Sequence, residues 1–141
     1  EDWEADDFYF LNDHDIYQLN VGTLEPVVSV GDYVIVCNYA KINAKNLVAV
    51  AMDDKLLARR LNISDDHPNL AILTAHASNP YDIAAPYIAP LDGIETKKIV
   101  GTLFNPVFDG TKIDSNELCE VTNTNQFLQI MKQYINLNQI Y

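Results

Sequence analysis

Leu47-Val48-Ala49-Val50-Ala51-Met52-Asp53-Asp54-Lys55-Leu56-Leu57-Ala58-Arg59-Arg60-Leu61 is the stretch on which the fold turns. Two short, mainly apolar runs flank a pair of aspartates. Each run is too short for an ordinary helix and long enough for a buried strand. Aspartate tolerates the left-handed region, so Asp53-Asp54 predicts a tight hairpin, although Asp-Gly is the stronger signal. Outward from this hairpin the same texture recurs. Tyr33-Val34-Ile35-Val36-Cys37 is a β-branched run, Ile16 to Val21 alternates loosely, and Leu70 to Thr74 is a short apolar run. Lys97 to Phe104 is the last clear strand, and Gly101 inside it predicts a bulge or a close backbone approach.

Turn-forming pairs separate these runs: Gly31-Asp32, His67-Pro68, Asn79-Pro80, Ala85-Pro86, Ala89-Pro90, Asp92-Gly93, Asn105-Pro106 and Asp109-Gly110. Many short strands with frequent turns favour a mainly β domain, a small barrel or sandwich, over a helical or α/β fold. The tail differs. Thr124 to Tyr134 lacks Gly and Pro, and Phe127, Ile130, Met131 and Tyr134 recur at spacings of three and four. That is an amphipathic helix, with Thr122 or Thr124 as its expected N-cap. Its Met and aromatic stripe is expected to pack in the core or against a second copy.

The 141 residues are the size of one domain and enough to bury a core. The net charge of −11 repels phosphate backbones, so direct nucleic-acid contact is not expected. Seven acidic residues lie in the first fifteen positions, and the first basic residue is Lys41. Residues 1–15 are therefore expected to be a solvated linker, with further chain upstream. No apolar run approaches membrane-spanning length. Cys37 and Cys119 are far apart with no CxxC spacing, which suggests free thiols, a buried Cys37 and a reducing, cytoplasmic setting. His14 between Asp13 and Asp15 reads as a surface turn rather than a metal site. Neither a phosphate loop nor a cofactor motif appears. Arg59 and Arg60 are expected to pair with Asp53 and Asp54 at the hairpin.

Five elements in order carry a family likeness. They are Gly22-Thr23-Leu24-Glu25-Pro26, then Gly31-Asp32-Tyr33-Val34-Ile35-Val36, then Leu57-Ala58-Arg59-Arg60-Leu61, then Leu70-Ala71-Ile72-Leu73 with Ser78-Asn79-Pro80-Tyr81, and finally Ile99-Val100-Gly101-Thr102-Leu103. Over roughly residues 16–104 this pattern resembles the C-terminal domain of LexA/UmuD-type self-cleaving repressors, peptidase family S24. The resemblance implies a LexA/signal-peptidase-like β-barrel or complex β-fold with a C-terminal helix. It implies a domain from 16 to 104 and an extension from 105 to 141.

The resemblance places the nucleophilic serine at Thr23 and the general-base lysine at Arg59. A partly buried lysine can lose its proton near neutral pH and activate a hydroxyl. A guanidinium, with a pKa above about 12, cannot. Lys55 lies about 13 Å away along the predicted strand and Ser29 falls in a turn, so neither is expected to replace them. The chain is thus expected to be a pseudo-peptidase without a catalytic pair or cofactor. Its expected role is homodimerisation or higher assembly of a bacterial or phage repressor, open to a regulatory or antirepressor protein. The resemblance puts the strand from Lys98 through Val100 and Thr102 to Phe104 at the partner surface. The helix residues Phe127, Met131 and Tyr134 would extend that contact or cap the barrel. The alternative is a self-cleaving autopeptidase with an unusual Thr/Arg pair.

Overall fold

The computed structural model describes residues 13–52, 54–76, 85–105 and 117–138. Eight strands form one antiparallel sheet: β1 (His14–Leu19), β2 (Tyr33–Cys37), β3 (Leu47–Met52), β4 (Lys55–Ser64), β5 (His67–Thr74), β6 (Tyr87–Pro90), β7 (Glu95–Leu103) and β8 (Leu118–Glu120). Their spatial order is β6-β5-β4-β3-β7-β2-β1-β8. A short 3-10 turn, Leu91–Gly93, joins β6 to β7, and α1 (Thr124–Asn138) follows β8. The fold is mainly β with a C-terminal helix, as the strand texture and the tail predict. The sheet is not closed into a barrel, so the barrel among the expected forms is not the one observed.

The deciding hairpin is formed. Met52 is paired with Lys55, and Asp54 sits at φ 63°, in the left-handed region that aspartate tolerates. Side-chain alternation then splits β3 between two faces. Ala49 joins Leu24, Val34, Val36 and Ala58 in one apolar cluster, while Val48 and Val50 join Leu57, Leu61 and Leu73 in another. Burying a valine or leucine fully contributes about 1.5–3 kcal/mol, so these two clusters fix the register of the central strands.

Gly101 marks both features that its presence predicts. Ile35 pairs with Gly101 but Val36 with Ile99, which leaves Val100 as the extra residue of a bulge. A Cβ at Gly101 would lie 2.2 Å from the Tyr134 hydroxyl oxygen, so the helix approaches β7 as closely as only glycine permits. Tyr134 donates its hydroxyl to the Val100 carbonyl (3.3 Å). Phe127, Ile130 and Met131 pack with Ile16, Ile35 and Leu103, and Met131 is fully buried.

Several local expectations are corrected. The helix N-cap is Asn123, whose Oδ1 accepts from the Gln126 N–H (3.0 Å), rather than either threonine. His14 begins β1 instead of sitting in a turn, and the strand also takes in Asp15 from the expected linker. Residues 1–12 lie outside the described residues, as does the Ser78–Tyr81 turn. Cys37 is partly rather than fully buried, because it ends β2; both cysteines are free thiols. Two edge strands, β6 and β8, escape the sequence reading. Residues 117–138 are no appendage, since β8 pairs with β1 and the helix completes a core cluster.

Candidate functional site

Thr23 is positioned almost wholly by main-chain bonds. After β1 ends, the Asn20 N–H donates to the Glu117 carbonyl (2.8 Å). The Thr23 carbonyl accepts from the His76 N–H (2.8 Å), and the Glu25 N–H donates to the His76 carbonyl (3.0 Å). These bonds make a parallel bridge between Leu24 and His76. His76 lies just past β5, whose Thr74 is the partner of Arg60 on β4. The Thr23–Glu25 segment is therefore held at the end of the β4–β5 ladder. Leu24 shares an apolar cluster with Ala58, the residue before Arg59. The positions that the resemblance pairs are thus brought to one region by topology.

The turn behind this segment is tied down by Gly31-Asp32. Gly31 takes φ 94°, and its N–H donates to the Leu19 carbonyl (2.7 Å). The Asp32 carboxylate accepts from the N–H groups of Ser29 (3.2 Å) and Asn105 (3.1 Å). Ser29 is exposed in this turn, which is where the sequence puts it. Lys55 is exposed at the hairpin end of β4.

Arg59 stands opposite Val48 and is 2% exposed. An unpaired cation at such a depth is costly, so it needs an anion and hydrogen bonds. Glu117 supplies both. Its Oε1 accepts from Arg59 Nη1 and from the Ala58 N–H (3.1 Å), and its Oε2 accepts from Arg59 Nη2 at 3.0 Å. Arg59 Nη1 also donates to the Ala58 carbonyl (2.8 Å). This is the two-pronged geometry that a planar guanidinium favours and that an ammonium cannot copy. The expected pairing of Arg59 and Arg60 with the hairpin aspartates is therefore wrong. The register places both arginines far from the turn, and Arg60 donates instead to the Lys45 carbonyl (2.7 Å).

Thr23 is 2% exposed, and its hydroxyl has no hydrogen-bond partner among the described residues; nor has Arg59 Nε. Both oxygens of Glu117 are engaged by β4. Chemically the cluster offers hydrogen-bond donors and a neutralised ion pair, with no group hydrogen-bonded to the Thr23 hydroxyl to take its proton. Among the described residues no three His, Cys, Asp or Glu side chains gather to hold a metal ion.

Glu117 is the member that sequence reasoning misses. It lies in the presumed extension, and nothing in Asn116-Glu117-Leu118 marks it. The only signal is the demand of a buried arginine for an anion, and the chain has 20 acidic residues to answer it.

The proposed interface residues fall into two groups. β7 lies between β3 and β2, so its main-chain edges are already bonded. Along it Lys98 and Val100 are partly buried, Thr102 is exposed, and Phe104 just beyond is 72% exposed. Phe127, Met131 and Tyr134 face the chain's own core. No helix among the described residues is long and apolar enough to cross a membrane. No family model, curated protein or solved structure matches this chain.

Proposed function

We infer that this chain is a non-cleaving assembly domain of a transcriptional repressor, working in the cytoplasm by joining copies of itself. One observation carries the reading. At the position where the LexA-like resemblance calls for a proton-accepting lysine, Arg59 is buried and gripped by Glu117 beside the Thr23 segment. A permanently protonated fork held by a carboxylate performs no base catalysis. Assembly is the role that the resemblance leaves once cleavage is gone. The acidic balance argues for a protein partner and against direct contact with nucleic acid. Phe104 and Thr102 offer exposed contact area at the end of β7, while Met131 belongs to the interior.

Light scattering on the chain at micromolar concentration tests the assembly role. A mass of two or more copies is expected, and Phe104→Asp should lower it. A monomer throughout would overturn the reading. A regulatory protein bound in place of a second copy would appear as a one-to-one complex with that partner and no self-association.

A further inference from the structure

Tyr17, Ala49, Ala51, Leu56, Glu95 and Lys97 line a cavity of about 200 Å³. Tyr17 is on β1 and Leu56 on β4, with β2, β7 and β3 between them. In a flat sheet four strand spacings would part them by about 19 Å. Their meeting around one cavity shows that the sheet curls, with Ala49 and Ala51 as a floor of small side chains. The register sets the charges around that floor. Lys97 is the partner of Ala49 and Glu95 the partner of Ala51, so an ammonium and a carboxylate stand two residues apart on one face of β7, about 6.6 Å by strand rise. Neither makes an ion pair among the described residues. The Tyr17 phenol completes the lining, and burial pushes its pKa up to about 12, helped by Glu120, Asp15 and Glu95.

We propose that this cavity binds a free α-amino acid with a short aliphatic side chain. Glu95 receives the α-ammonium, Lys97 receives the α-carboxylate, and Ala49, Ala51 and Leu56 receive the side chain. The volume is below the roughly 300–1,000 Å³ of pockets for drug-sized ligands, which suits a single residue. A zwitterion also enters an acidic protein without the repulsion that a simple anion meets. This site goes beyond the assembly reading and stands without it.

Calorimetric titration of the whole chain with L-valine, L-valinamide and N-acetyl-L-valine tests the proposal. Binding of L-valine is expected, weakened at least about tenfold when either end is blocked, since each blocked end forfeits a charged hydrogen bond. Lys97→Gln should lose the preference for a free carboxylate, and Glu95→Gln the preference for a free ammonium. Glu95 is exposed and Lys97 partly buried, and neither change is expected to shift thermal melting by more than a few degrees. Ala51→Phe should abolish binding by filling the cavity. No heat with L-valine, or equal binding of the three compounds, would overturn the proposal. So would binding unchanged in the variants.

Discussion

Glu117→Gln leaves the Arg59 guanidinium buried without its anion. Breaking a buried pair from one side costs about 3 kcal/mol or more, because the surviving charge stays desolvated. Urea denaturation should show that loss, and Arg59→Met in the Glu117→Gln background should recover most of it. Thr23→Val makes the opposite case. The hydroxyl it removes is buried and has no partner among the described residues, so the variant should be as stable as the parent or about 1 kcal/mol better. A clear loss on Thr23→Val would mean that the hydroxyl has a partner that matters. Tyr17 gives a pH-dependent prediction. Its pKa is raised in the fold, so above its ordinary value of 10.0 the unfolded chain sheds the proton first. The stability it contributes is complete below pH 10 and is lost as pH rises toward about 12. Tyr17→Phe should flatten that part of a stability–pH profile. At this scale the sequence is half legible. Thr23 and Arg59 can be singled out from their neighbours in order along the chain. Glu117, 58 residues from Arg59, cannot, because a long-range ion pair leaves no local mark.

At the scale of elements, the close approach of α1 to β7 is the feature most open to test. Gly101→Ala puts a methyl group inside the space of the Tyr134 ring, so the ring or the helix must shift. A loss of about 1–3 kcal/mol is expected in thermal or urea denaturation. In a Tyr134→Ala background the same change should cost much less, and a double-mutant cycle reads the coupling directly. Strands with a strong apolar or β-branched pattern are legible: β2 and β3 fall where the sequence puts them. Gly101 announces its bulge and its contact. β6 and β8 are not legible, because Tyr87–Pro90 contains a proline and Leu118–Glu120 is only three residues long. Both are held by a neighbouring strand rather than by their own propensity. The N-cap is missed for a related reason. Three adjacent residues, Thr122, Asn123 and Thr124, are all capable caps, and the packing of Phe127 and Met131 decides among them.

Across the whole molecule, residues 117–138 tie the buried arginine of β4 to the core beneath the helix. Glu117 neutralises the buried Arg59, Leu118 enters the central apolar cluster, and the helix covers Ile16 and Ile35. Truncation before residue 117 should therefore unfold the chain rather than release a stable 16–104 domain, and circular dichroism would show it. The mainly β character is legible because it follows from the spacing of apolar runs. The open sheet is not, because closure depends on how the edge strands are covered. Among the described residues no side chain is hydrogen-bonded to the Thr23 hydroxyl to take its proton. The most direct check is the intact mass of the purified chain after incubation near neutrality and at about pH 10, close to the ordinary lysine pKa of about 10.4. A single unchanged mass is expected at both pH values; two fragments whose masses sum to the chain plus one water would overturn the non-cleaving reading.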